Sequence, residues 1–147
     1  MTEKERDLSL EPYLKAVLAK KAREPVVLDV RELTSIADAF IICSGRSNRQ
    51  VMAIAEHIQV ELKKQGIKPL SVEGNKEGHW TILDYGDVVI HVFFESVREF
   101  YDLEGLWIDA RRIAIPPELR VVGDEEERLL AALARHRRVS RPLTRAR

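Results

Sequence analysis

The chain has 147 residues, of which 45% are hydrophobic and 33% charged, an ordinary composition for one globular domain. Its 24 basic and 24 acidic residues balance, so the whole molecule has no strong attraction to nucleic acid or anionic lipid. A single cysteine rules out an intrachain disulfide framework. The amino-terminal residues lack a signal-peptide apolar run, and no segment approaches the roughly 20 apolar residues of a membrane span. These features predict a cytoplasmic protein.

The first third of the chain predicts a helix followed by two strands. Apolar residues recur at helical spacing over residues 9–23, and Pro25 is expected to end that helix. Residues 25–30 and 38–43 are nearly continuous apolar runs. Such runs are typical of strands that are covered on both faces.

A second helix is predicted after a short polar turn. Ser47 and Asn48 are good N-cap residues, and Gly66 is expected to stop the helix. The apolar residues between these signals have the spacing of an amphipathic helix: Val51, Ile54, Ala55, Ile58 and Leu62.

The next segment predicts three strands and a short helix. Residues 69–73 form the third strand. Residues 80–83 and 87–94 predict a hairpin, in which Gly86 supplies a positive φ to the turn. Apolar residues occupy both faces of the second hairpin strand, which indicates a central position in the sheet. A helix is predicted over residues 95–103.

Together these elements predict an α/β fold with a mixed sheet of about five strands flanked by helices. A Pro-Pro pair ends the predicted domain, residues 1–115. The C-terminal extension, residues 116–147, is predicted to be helical over about 124–137 and flexible at its end. It is basic, because seven arginines and no acidic residue follow Glu127.

Catalytic and metal-binding patterns are weak. The four histidines lack the spacing of a metal site, and His57 falls on the polar side of its helix. His91 lies in a strand, where a partly buried, hydrogen-bonded histidine is the simpler interpretation. Cys43 is interpreted as inert core, although a pair with His91 on a neighbouring strand stays open. The sequence thus predicts no metal, no cofactor and no enzymatic activity.

A phosphate site is the main chemical alternative. Gly45 to Arg49 lies between a strand and a helix N-terminus, where backbone N–H groups attract anions. The stretch has no nucleotide-binding motif, so a tight turn with a helix cap is favoured. A nucleotidyltransferase would need closely spaced carboxylates to hold magnesium, and no acidic residue occurs between Asp38 and Glu56.

Aromatic residues crowd one stretch of the chain. Between Trp80 and Trp107 lie both tryptophans, two of the three tyrosines and three of the four phenylalanines. A short helix cannot bury all these rings on one face, so some aromatic surface should stay exposed. Tyr and Trp are common anchors of protein interfaces, and the acidic residues nearby favour a basic partner. Composition alone leaves core and interface equally open.

Several short motifs occur together in one known family. They are Leu28–Val30, Ala37–Gly45 with Ser47–Val51, Glu73–Gly74, Trp80, Asp84–Val89 with His91–Phe93, Arg98, Phe100–Glu104 and Leu106–Trp107. On these residues the chain resembles the ribosomal silencing factor family, also called Iojap-related, over residues 10–112. Ala39 and Arg46 depart from the family pattern, and the residues after Pro117 lie outside the resemblance.

The resemblance implies an α/β fold similar to that of nucleotidyltransferases, without their catalytic carboxylates. It implies a homodimer when free and a translational repressor, active under nutrient limitation. Such a repressor binds the large ribosomal subunit through ribosomal protein number fourteen and sterically blocks joining of the small subunit. It implies neither a membrane nor a small-molecule substrate. The residues assigned by resemblance to partner binding are Trp80, Tyr101, Asp102, Leu103, Glu104, Leu106 and Trp107.

Within that set, Trp80 and Tyr101 are expected to be aromatic anchors. Asp102 and Glu104 are expected to meet basic side chains, because ribosomal proteins are usually basic. The alternative function is an RNA-binding module in which the basic tail contacts rRNA phosphates. A third hypothesis, an enzyme acting on a nucleotide, would use Gly45 to Arg49.

Two further expectations concern packing. The aromatic and aliphatic residues expected to be mostly core are Phe93, Phe100 and Leu103. Arg98 is expected to hold its helix against Asp84 or Asp87.

Overall fold

The structure is a computed structural model that describes residues 8–74, 76–119, 129 and 132–135. The chain divides into two units, Met1–Ile115 and Pro116–Arg147. In the second unit, residues 117–119 and 132–135 have helical backbone. The helix predicted over residues 124–137 lies mostly outside the described residues. No helix among the described residues is long and apolar enough to cross a bilayer.

Helices and strands are interspersed along the first unit. In chain order they are α1 (Glu11–Leu18), β1 (Arg23–Asp29), β2 (Ala39–Gly45), α2 (Asn48–Lys64), β3 (Ser71–Glu73), β4 (Trp80–Asp84), β5 (Val88–Phe94), α3 (Glu95–Tyr101), α4 (Leu103–Leu106) and β6 (Arg111–Ile113).

The strands form one mixed sheet in the order β3-β4-β5-β2-β1-β6. The central pair, β2 and β5, is parallel, and the other neighbouring pairs are antiparallel. The predicted mixed α/β fold is therefore confirmed. The sheet has six strands instead of about five, because β6 pairs with β1 at Leu28↔Arg112. This strand has three residues, two of them arginines, and carries no apolar run that a sequence pattern would detect.

Both faces of the sheet are covered, so alternate residues of the central strands are buried on opposite sides. On one face α1 and α2 pack together, with the apolar side of α2 buried. On the other face, Leu28, Phe40 and Phe93 form a cluster against which residues of α3 and α4 pack. The second face therefore supports the aromatic stretch noted in the sequence.

The start of α2 is a capped turn, as its sequence predicts. The Ser47 hydroxyl accepts a hydrogen bond from the Gln50 amide at 3.1 Å. The Gln50 side-chain oxygen accepts one from the Arg46 amide at 2.6 Å. The cap and this bond occupy two N–H groups that an anion would need, which favours the turn over a phosphate site.

The first helix ends earlier than its sequence pattern predicts. It stops at Leu18, and Lys21 adopts a left-handed conformation with φ of 58°. Pro25 lies inside β1, so the prediction that it ends the helix is wrong. The register of β1 on β2 is interrupted between Arg23 and Val26, and such an irregularity accommodates a residue without an N–H group.

Replacing Ile58 with alanine should lower the free energy of unfolding by about 2–5 kcal/mol, because the fully buried side chain leaves a cavity under α2. The matched control is Ile36→Ala, since Ile36 is 74% exposed and its loss should cost less than about 0.5 kcal/mol. Urea denaturation of both variants measures the difference. Equal losses would contradict the burial of the inner face of α2.

Candidate functional site

Trp80, at the start of β4, connects three elements of the second face. Its ring stacks on Phe93 of β5 with centroids 4.7 Å apart, and lies 4.9 Å from the ring of Tyr101 in α3. Its indole N–H donates to Nδ1 of His91 at 3.1 Å. Trp80 is half-buried, so part of its ring packs inside the fold and the rest is accessible to a partner.

His91 is a hydrogen-bonded histidine of the sheet interior. Burial lowers its pKa from 6.5 to about 4, so the imidazole is neutral and its Nδ1 can accept the Trp80 bond. A pair with Cys43 is contradicted by the register, because His91 lies opposite Ile42 and Cys43 lies opposite Val92. Neighbouring residues of a strand point to opposite faces. Burial raises the pKa of the Cys43 thiol to about 12, which leaves it unreactive.

The helix predicted over residues 95–103 is broken at Asp102. This residue is left-handed, with φ of 45° and ψ of 58°, and it separates α3 from α4. Its carboxylate accepts a hydrogen bond from the Gly105 amide at 3.1 Å and so caps α4. A Cβ atom at Gly105 would overlap that carboxylate, which explains the glycine there. The first role of Asp102 is therefore within the chain.

Arg98 and Glu104 form a bidentate ion pair across this break. The two hydrogen bonds are 3.0 Å from Nη2 to Oε2 and 3.2 Å from Nε to Oε1. The expected pairing of Arg98 with Asp84 or Asp87 is wrong. Those two acids lie at the opposite end of β5 from the start of α3, and Asp84 accepts from the Gly86 amide inside its own turn.

The residues between Phe100 and Ile108 divide into an inner and an outer set, and we call this stretch the apolar segment. Leu103 and Trp107 are half-buried against the core cluster, where the Trp107 ring meets Phe40 edge-on at 5.1 Å. The outer set comprises four exposed apolar or aromatic side chains: Phe100 (82% exposed), Tyr101 (53%), Leu106 (74%) and Ile108 (73%).

Two of these outer residues differ from the sequence expectations. Phe100 was expected to be mostly core and is the most exposed of the four, because it lies two residues after the buried Arg98 in α3 and therefore on nearly the opposite side of that helix. Ile108 was not among the expected site residues. Its apolar character next to Trp107 was the available signal. Phe93 is fully buried, as expected, and Leu103 is half-buried.

A groove adjoins the apolar segment. Its volume is about 510 Å³, and its lining residues include Trp80, Val97 and Tyr101 with the charged Lys76 and Glu77. Within the described ranges there is no group of three or more His, Cys, Asp or Glu residues arranged to hold a metal ion. The geometry therefore offers exposed apolar rings and a groove for binding.

A family model described as ribosomal silencing factor during starvation matches residues 2–141 of the chain. This match spans most of the sequence. The chain belongs to the ribosomal silencing factor family. The resemblance is thereby confirmed, and the family model also extends past Pro117, into a tail that the sequence motifs left outside the family.

Individual ribosomal silencing factors and their relatives agree with this assignment. The ribosomal silencing factor of Halalkalibacterium halodurans is 41% identical over 106 residues, covering 72% of this chain and 91% of that protein. The chloroplastic protein Iojap of Zea mays is 39% identical over 102 residues, covering 69% of this chain and 44% of that protein. A crystal structure of a Chromobacterium violaceum protein is 37% identical, with a TM-score of 0.65, covering 72% of this chain and 88% of the other.

Acidification should destabilise the protein through His91. The folded-state pKa of His91, about 4, lies below the ordinary histidine value of 6.5 that applies to the unfolded chain. Between these two values the unfolded chain binds a proton that the folded chain does not. This contribution is complete above pH 6.5 and is lost as pH falls toward 4. Between pH 7.5 and 5 the free energy of unfolding should fall by about 2 kcal/mol, measured by urea denaturation.

The control for this effect is His91→Gln, which keeps a hydrogen-bond acceptor near Trp80 without an imidazole that titrates. The variant should lose most of the change between pH 7.5 and 5. A remainder is expected from His57, because burial also lowers the pKa of that residue. An undiminished pH dependence in the variant would contradict the role of His91.

Proposed function

We propose that this chain represses translation by binding the large ribosomal subunit through ribosomal protein number fourteen and sterically blocking joining of the small subunit. The observation that carries the proposal is the apolar segment, in which four exposed apolar or aromatic side chains lie on a firmly packed support. Membership of the ribosomal silencing factor family supports the ribosome as the target. Occlusion requires affinity and position, and it requires no catalytic group.

The support lowers the cost of binding. Leu103 and Trp107 pack on the core, and Trp80 is held by its bond to His91. Side chains carried by such a scaffold lose little freedom when a partner covers them. Tyr101 supplies a large amphipathic ring with few rotatable bonds, a type of residue that often dominates interface energy.

The acidic residues around the apolar segment also divide into an inner set, paired within the chain, and an exposed outer set. Asp102 caps α4 and Glu104 pairs with Arg98, so both acids already have partners within the chain. Glu99 and Asp109 are exposed beside the apolar segment. We therefore assign the attraction to a basic ribosomal protein mainly to Glu99 and Asp109, as a rim around apolar contacts.

The remaining parts of the proposal follow from the family resemblance. The free protein is proposed to be a homodimer, and the repressor acts in the compartment that contains the ribosomes. The expected trigger is nutrient limitation, in keeping with the family description, which refers to starvation.

Leu106→Ala should weaken binding to purified large subunits by about tenfold, because we place Leu106 among the minority of interface residues whose truncation costs more than about 1 kcal/mol. The matched control is Leu70→Ala. Leu70 is 76% exposed and Leu106 is 74% exposed, but Leu70 lies outside the apolar segment. Co-sedimentation across a protein titration measures both. Equal affinities for the two variants would exclude Leu106 from the interface.

Tyr101→Ala is expected to abolish co-sedimentation at micromolar protein while leaving the circular dichroism spectrum intact. Tyr101 is more than half exposed, so its removal should leave the core in place. Normal binding by this variant would show that the interface lies elsewhere.

The basic tail provides the second candidate function. Seven arginines after Glu127 would make ribosome binding strongly salt-dependent if they contacted rRNA phosphates. Deleting residues 135–147 should leave the slope of log affinity against log salt unchanged if the apolar segment carries binding. A markedly weaker salt dependence after the deletion would indicate that the tail contacts rRNA.

A further inference from the structure

Arg98 occupies a closed set of hydrogen-bond acceptors. Its Nη2 donates to the Glu24 carbonyl at 2.9 Å, and its Nη1 donates to the Ser44 hydroxyl at 3.1 Å and to the Arg23 carbonyl at 3.3 Å. With the two bonds to Glu104, these contacts join α3 to α4, to the start of β1 and to the end of β2. We call Arg98 and these four acceptor residues the Arg98 cluster.

Backbone strain is concentrated around this cluster. Among the described residues, three that are not glycine have positive φ: Lys21, Glu24 and Asp102. Glu24 lies where the register of β1 is interrupted, and its backbone carbonyl accepts a hydrogen bond from Arg98. Asp102 interrupts the helix between Arg98 and Glu104. Each such residue is unfavourable by itself and persists only where surrounding contacts determine it.

The break at Asp102 is also a geometric requirement for the ion pair. Residues six positions apart on a continuous helix point in directions about 120° apart, so their side chains do not face each other. Arg98 and Glu104 are six apart and are joined by two hydrogen bonds. The ion pair therefore forms only when α4 is turned relative to α3. It selects the same turn that packs Leu103 and Trp107 on the core.

We propose that Arg98 is a positioning residue for ribosome binding. It fixes the direction of α4, and through α4 the orientation of Leu106 relative to Tyr101. Glu104 acts by holding Arg98 and does not contact the partner. This inference rests on the proposed function, and it reassigns one acidic residue from the partner interface to the interior.

Burial supports this assignment. The side chain of Arg98 is 9% exposed and that of Glu104 is 21% exposed, so little of either is accessible to a partner. Removing one member of such a pair leaves an uncompensated buried charge. Ser44 is 2% exposed, lies outside the apolar segment and accepts a hydrogen bond from Arg98. Ser44 thus offers a way to disturb Arg98 without touching the binding surface.

The test uses Ser44→Ala, Glu104→Gln and their combination in the full chain, with Ser96→Ala as control because Ser96 is exposed in α3. Affinity for purified large subunits is measured by co-sedimentation at several salt concentrations, well below the unfolding temperature of each variant. Hydrogen exchange of the amides of Gly105, Leu106 and Trp107 reports the ordering of α4 without the ribosome.

Each cluster variant should weaken binding by about tenfold or more, the effect of one lost hydrogen bond to a charged group, and Ser96→Ala should have no effect. The combined variant should bind more weakly than either single variant. Its fold loss of affinity should nevertheless be smaller than the product of the two single fold losses, because both substitutions act through Arg98. The salt slope should stay unchanged, while exchange at Gly105 to Trp107 becomes faster in the cluster variants alone.

Two results would overturn the inference. One is wild-type binding by both cluster variants. The other is weaker binding by Glu104→Gln with a reduced salt slope and normal binding by Ser44→Ala, since that pattern marks a direct contact of Glu104 with a basic partner. Failure of the wild-type chain to bind large subunits would instead refute the proposed function. In that case the exchange measurement still decides whether the cluster orders α4.

Discussion

A buried guanidinium constrains the whole second face of the sheet. Arg98 carries a permanent positive charge, and that charge can stay in the interior only if its N–H groups find acceptors. Those acceptors come from β1, β2 and α4, so the positions of these elements depend on one another. The left-handed residues Glu24 and Asp102 fit this constraint, because each directs an acceptor or a chain segment toward the same side chain.

This constraint separates support from contact in the aromatic stretch. Trp80, Leu103 and Trp107 face inward and stabilise the fold, whereas Tyr101 and Leu106 face outward. Under the proposed function, the outward residues are the ones that contact the large ribosomal subunit. In that proposal a fixed apolar surface with acidic surroundings carries the binding, and the buried polar groups hold the surface in place.

Periodicity in the sequence predicted the elements whose stability is local. The spacing from Val51 to Leu62 gave α2, and the cap at Ser47 gave its start, because both signals lie within a few turns of helix. The mixed sheet followed from continuous apolar strands. The partners of Arg98 could not be predicted, since Arg23 and Ser44 are 75 and 54 residues away along the chain. The break at Asp102 was missed because it depends on a left-handed residue that is not glycine, for which the apolar spacing carries no signal.

Site prediction had a similar limit. The family motifs pointed to one stretch but did not distinguish a side chain that packs from one that is exposed, so Phe100 was expected in the core although it is 82% exposed. The most direct test of the account asks which ribosomal particles the protein binds. If the proposed function holds, a tagged chain should co-purify with free large subunits and be absent from assembled ribosomes, because the proposal has it compete with the small subunit for one face. Equal recovery with assembled ribosomes would contradict steric repression of subunit joining.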